Sequence, residues 1–138
     1  MGYGKSPFRS TGVHKQFGAV TALDNVNFQV QRGSIHGLLG ENGAGKTTLM
    51  NILYGLYAPD SGEIFLEGKK INIKSPADGI AHGIGMVHQV STLVGEFNAV
   101  ENILLGSGKA RWKLPLSEER ERILTLARDI GFDVPLDR

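Results

Sequence analysis

Val26, Phe28 and Val30 alternate with Asn27, Gln29 and Gln31, the period of a strand with one buried face, and Arg32-Gly33 supplies a turn after them. An antiparallel strand pair over residues 11–16 and 24–30 follows from this spacing. The pattern then changes. "SIHGLLG", residues 34–40, places Ile35, Leu38 and Leu39 in a short run with little alternation, as expected of a strand buried on both faces in a parallel sheet. Beyond a glycine-rich stretch, Leu49, Ile52, Leu53 and Leu56 recur at helical spacing, which predicts a helix from about Lys46, ended by Gly55 and Pro59.

"DSGEIFLEGKKINIK" reads as a hairpin, with Ile64 and Leu66 in one arm, Ile71 and Ile73 in the other, and "EGK" as the turn. Ser75 caps a short helix that has Pro76 at its first position and Gly83 beyond its end. "IGMVHQ", residues 84–89, is a second apolar strand, so the succession of strands, helices and hairpin makes a mixed α/β layer. Asn98 and Glu101 form an asparagine version of the capping box ahead of "AVENILLG". After a loop with Gly108 and Pro115, Ser117 caps a longer helix with Glu118 and Glu119 in its first turn. Ile123, Leu126, Ala127 and Ile130 give that helix one apolar stripe, and Glu118 is spaced to pair with Arg122.

The composition suits one soluble globular unit: 138 residues, 41% apolar and 21% charged. With 15 basic against 14 acidic residues the net charge is +1, so no long-range field marks a nucleic-acid or anionic-membrane binder, and any anion must be bound locally. The absence of cysteine excludes disulfides, thiol catalysis and thiolate metal sites. No apolar run approaches the ~18 residues of a spanning helix. The leader, residues 1–10, is expected to be flexible. Its Gly2/Ser6 spacing matches a myristoylation pattern too short to weigh, and its "GKS" lacks the preceding strand and following helix of a phosphate loop.

"GENGAGKTT", residues 40–48, meets that requirement. Gly40-x-x-x-x-Gly45-Lys46-Thr47 satisfies G-x-x-x-x-G-K-[ST] between a predicted strand and a predicted helix. Glycines let backbone N–H groups converge on phosphate oxygens, and the helix adds its free amides and positive dipole end. Lys46 then reaches the β- and γ-phosphates, Thr47 holds Mg²⁺, and Thr48 is placed to donate to the α-phosphate. Gly40, Asn42, Gly43, Ala44 and Gly45 form the cradle. The plain alternative, a glycine turn joining strand to helix with Lys46 solvated, does not account for the whole pattern. A GTPase would show N-K-x-D, which is absent, and the arginines expected of a small-molecule kinase lid fall late, so a P-loop kinase stays as an alternative.

The order "KQFGAVTALDNVNFQVQRGSIHGLLGENGAGKTTLMNILYGLYAPDSGEI", then "GIGMVHQ", then "AVENILLG" resembles the ATP-binding subunits of ABC transporters from about residue 11 onward. The resemblance implies a P-loop NTPase fold of the ABC ATPase type, with ATP and Mg²⁺ as ligands. The sheet would be mixed, with N-terminal antiparallel strands, and residues 91–138 would start a helical subdomain after a nucleotide-binding core at 11–90. Phe17 matches the aromatic that stacks on adenine, and Gln89 matches the Q-loop glutamine that contacts Mg²⁺ and the attacking water and faces the membrane subunits. By residue type alone, Phe17 also suits a core or turn aromatic, and Gln89 a solvated loop. His88 before the glutamine points to the importers of simple sugars and nucleosides, whose ATPase chains carry two cassettes, and this chain resembles the first. The implied partners are transmembrane permease subunits, a second nucleotide-binding domain and, indirectly, an extracytoplasmic substrate-binding protein. The implied location is peripheral on the cytoplasmic face of the membrane.

The family's signature motif, its Walker B strand ending in Asp-Glu and its switch histidine do not occur here. "LSEER" at 116–120 has glutamates where signature glycines belong. The expectation is therefore half a cassette, which binds ATP without the general base for fast hydrolysis and exposes strand edges that favour self-association. The other reading is a non-hydrolytic nucleotide-binding module complete in itself.

Overall fold

The computed structural model describes residues 8–89, 93–106 and 116–132. The leader motifs before Phe8, the loop with Gly108 and Pro115, and Trp112 lie outside the described residues. The chain divides into two compact units, one through Met86 and the other from Val87 onward.

In the first unit, β1 (Phe8–Phe17) pairs antiparallel with β2 (Val20–Val30), from Phe8 opposite Val30 to Phe17 opposite Val20. The strand takes in Phe8, Arg9 and Ser10 of the expected leader, because Phe8 packs against the core and Ser10 is fully buried. Along β2 the predicted alternation holds: Val26, Phe28 and Val30 are partly buried, whereas Asn27 and Gln29 are exposed. Helix α1 (Lys46–Tyr54) ends at Gly55, whose N–H bonds the Asn51 carbonyl at 3.0 Å. The predicted hairpin is present as β3 (Ser61–Leu66) and β4 (Lys69–Ile71), turning at Glu67-Gly68 with both residues in the left-handed region. Ile73 lies beyond β4 but is still buried. Helix α2 (Pro76–Ala81) is capped by Ser75, whose hydroxyl accepts from the Asp78 amide.

The sheet order is β2-β1-β3-β4, and every pair is antiparallel. Helix α1 contributes Leu49, Ile52 and Leu53 to the core, where they meet Val13, Leu23, Ile64 and Ile73. Leu56, two residues past the helix, is exposed instead.

The two expected parallel strands differ from the reading. Residues 34–40 and 84–89 form no strand; Leu39 is 93% exposed and Val87 98% exposed. An apolar run becomes a buried strand only when a neighbouring strand offers its free edge and a layer covers each face. Here the four strands pair with one another, and none among the described residues pairs with either run. The sheet is accordingly antiparallel throughout rather than mixed, within the α/β class.

In the second unit, α3 (Ala99–Gly106) starts in a complete capping box: the Glu101 amide donates to Asn98 Oδ1 at 3.0 Å, and the Asn98 amide to Glu101 Oε2 at 2.9 Å. Asn102 ties the preceding loop to this helix, accepting from the Val94 amide at 2.8 Å and donating to the Phe97 carbonyl at 3.0 Å. Helix α4 (Leu116–Asp129) begins one residue before Ser117, which puts Ser117 in the first turn rather than at the cap. Arg122 pairs with Glu119 at 3.0 Å, not with Glu118, since both three- and four-residue spacings bring side chains together on a helix. Ile123 and Ala127 are buried and Ile123 packs with Val100, but Leu126 is 61% exposed and Ile130 is exposed as well. Only half of the expected stripe is used.

Candidate functional site

The glycine loop runs from Gly40 into the first turn of α1. Gly43 and Gly45 both adopt left-handed conformations, with φ of 85° and 83°. Gly45 is the N-cap of α1 and offers no side-chain cap, and the first bond it closes runs from the Leu49 amide to its carbonyl at 2.9 Å. The amides of the helix's first turn are therefore not consumed inside the helix.

Gly45 also sits hard against β2. A β-carbon there would lie 2.5 Å from the Ala22 carbonyl oxygen and 2.8 Å from Leu23 Cδ2. The close approach seats the loop on the strand. Lys46 folds back over the loop, its ammonium donating to the Gly40 carbonyl at 2.8 Å and the Glu41 carbonyl at 2.7 Å. Asn42, Gly43, Ala44 and Thr47 are exposed, and Thr48 is partly buried. The cationic group and the unused amides thus belong to one loop-and-helix turn. Phosphate oxygens fit this donor set, because the Lys46 ammonium and the free first-turn amides are all donors.

A metal ion fits only in company with a phosphate ligand. Among the described residues no cluster of three or more histidine or carboxylate side chains is arranged to hold a metal. Thr47 supplies a hydroxyl at the loop, and Mg²⁺ characteristically completes its shell with phosphate oxygens and water.

Phe17 belongs to the same unit and ends β1. Its partner in the ladder is Val20, two residues before the Ala22 carbonyl that Gly45 touches. At ~3.3 Å per strand residue, the aromatic stands on the order of 7 Å along the sheet from the loop's seat. The ring is 43% exposed and packs edge-to-face on Tyr57, with centroids 5.3 Å apart. It is therefore not a core residue, and it borders the turn at Gly18-Ala19. Gln89 is exposed at a bend and belongs to the second unit.

Sequence reasoning missed three residues around Phe17. Lys15 lies over its ring, Tyr57 packs on it, and Asp60 accepts from both Lys15 and the Gln16 amide. The Lys15/Phe17 spacing of two, which puts both on one face of a strand, was the available signal for the first. Nothing local connects Tyr57 or Asp60 with β1.

The sequence profile of the ABC transporter family matches residues 23–136. The chain belongs to the ABC transporter family. A ribose import ATP-binding protein of Caldanaerobacter subterraneus is 44% identical over 92% of this chain and 26% of its own length. A guanosine import ATP-binding protein of Bacillus subtilis is 55% identical over 68% of this chain and 18% of its own. Among solved structures, an ATP-binding cassette of an ABC transporter in its ADP conformation superposes with a TM-score of 0.68 and 33% identity, covering 76% of this chain and 41% of that one. This member of the ABC transporter family thus spans about a quarter or less of the length of these curated relatives. Among the described residues, no helix is long and apolar enough to cross a membrane.

Proposed function

We propose that the glycine loop and the start of α1 bind the phosphates of ATP together with Mg²⁺, and that this chain forms the N-terminal half of the first nucleotide-binding domain of an importer for a simple sugar or a nucleoside. In this reading Gly40, Asn42, Gly43, Ala44 and Gly45 cradle the phosphates, Lys46 neutralises the β- and γ-phosphates, Thr47 contributes to the Mg²⁺ shell and Thr48 meets the α-phosphate. Phe17 stacks on the base, and Gln89 serves as the glutamine that links magnesium and water to the membrane subunits. Residues 11–90 act as the nucleotide-binding core and 91–138 as the start of a helical subdomain.

The observation that carries the reading is Lys46, held by the carbonyls of Gly40 and Glu41 over a loop whose helix amides are unused. The ammonium is thereby poised where an anion would exchange with those carbonyls at little cost in side-chain entropy. Relatives named for ribose and guanosine import support the substrate class. ATP hydrolysis, the pairing with a second nucleotide-binding domain, the permease subunits and the indirect link to an extracytoplasmic binding protein belong to the full-length subunit, peripheral on the inner face of the membrane.

Calorimetric titration with Mg-ATP tests the proposal. Lys46→Ala removes a charge-assisted contact worth about 1.5–3 kcal/mol, which corresponds to roughly 10- to 150-fold in affinity. An unchanged affinity in a folded Lys46→Ala protein would remove the loop from the binding site.

A further inference from the structure

Asp60 stands in the connection between α1 and β3 and grips the end of β1 at three consecutive residues. Its own amide donates to the His14 carbonyl at 2.9 Å, its Oδ1 accepts from Lys15 Nζ at 2.8 Å, and its Oδ2 accepts from the Gln16 amide at 2.7 Å. The next residue is Phe17. Lys15, held by Asp60 with its side chain only 15% exposed, places its ammonium over the Phe17 ring, 5.3 Å from the centroid. Tyr57, from the same connection, packs edge-to-face on that ring at an interplanar angle of 73°. Two residues that follow α1 therefore orient the aromatic, and α1 itself begins at the glycine loop. The Phe17 ring is 43% exposed, so part of its surface is open to a flat aromatic ligand while Lys15 and Tyr57 hold it.

We propose that Asp60 is a positioning residue for the nucleotide base: by fixing Lys15 and the Gln16 amide it sets the orientation of Phe17, so that helix α1 registers the base end of the site against its phosphate end. This rests on the reading of Phe17 as the base-stacking residue. Asp60 touches no ligand in this arrangement. Its effect reaches the base only through Phe17.

The test compares the affinities of the intact protein for Mg-ATP and Mg-tripolyphosphate, whose ratio isolates the contribution of the nucleoside. Phe17→Ala is expected to lower that ratio by about fivefold or more. Asp60→Asn, and independently Lys15→Met, are expected to lower it by about two- to fivefold while tripolyphosphate affinity stays at the wild-type value. Asp60→Asn added to Phe17→Ala is expected to change the ratio no further, because the two act in series. Equal losses for both ligands, or a loss that persists without Phe17, overturns the proposal. If Phe17→Ala leaves the ratio unchanged while Lys46→Ala abolishes binding of both ligands, the base assignment fails together with this proposal, and the phosphate site stands.

Discussion

Replacing Gly45 by alanine separates two demands that the loop makes on one residue. The backbone there has φ of 83°, and a β-carbon would stand 2.5 Å from the Ala22 carbonyl oxygen and 2.8 Å from Leu23 Cδ2. The Leu23 methyl can yield, but the Ala22 carbonyl cannot move freely, because its neighbours Thr21 and Leu23 are paired with Gln16 and Lys15 of β1. The left-handed conformation costs an L-residue about 1–2 kcal/mol, and the overpacking adds about 1–3 kcal/mol. A loss of about 2–5 kcal/mol results, a large share of the ~5–15 kcal/mol that holds a domain together. Gly43 is the internal control. Its φ is 85°, yet no atom lies within 4 Å of its β-carbon position, so Gly43→Ala should show only the conformational cost of about 1–2 kcal/mol. Urea unfolding, followed by far-UV circular dichroism and by the fluorescence of Tyr54 and Tyr57 in the first unit, measures both variants. Gly45→Ala is expected to fall below Gly43→Ala by about 1–3 kcal/mol. Equal midpoints for the two would refute the claim that the loop is seated on β2 through Gly45.

Two further outcomes follow from charges and from exposed apolar side chains. The Asp60 carboxyl is held below its ordinary value of 3.8, first by the Lys15 hydrogen bond and then by the Gln16 amide, and Asp78 is lowered by the Lys74 amide and the Ser75 hydroxyl. Both therefore contribute stability that is present above pH 3.8 and is lost as pH falls through the lower folded-state values, so Asp60→Asn and Asp78→Asn should flatten the acid limb of a stability-against-pH curve. An acid limb identical to wild type in both variants would contradict this. Ile35, Leu39 and Val87 are exposed in segments that have no strand partner among the described residues, so the chain should self-associate with rising concentration in analytical ultracentrifugation, and aspartate at Ile35 and Leu39 should reduce that association. A monomer at all concentrations would show that these side chains find cover within the chain.

What the chain announces by itself is whatever depends on neighbours within a few residues. The α1 boundaries at Lys46 and Gly55, the Ser75 cap, the Asn98/Glu101 box and the turn between β3 and β4 are each set by a local hydrogen bond or backbone preference. The phosphate-loop pattern is legible for the same reason, since its glycines act through backbone and its lysine through an ammonium that reaches carbonyls only five and six residues away. Strand character is not local. Residues 34–40 have the apolar content of a buried strand, but its realisation needs partner edges and covering layers that a sequence window does not contain, and they run exposed here. The surroundings of Phe17 are decided in the same way. Only the antiparallel pairing of β3 with β1 brings Asp60 to Lys15 and Gln16, across more than 40 residues of chain. The sequence by itself therefore determined the glycine loop and the helix start whose amides and lysine are hydrogen-bond donors. The tertiary structure alone decided which residues hold the aromatic, because contacts between distant segments exist only once the sheet has chosen its pairs.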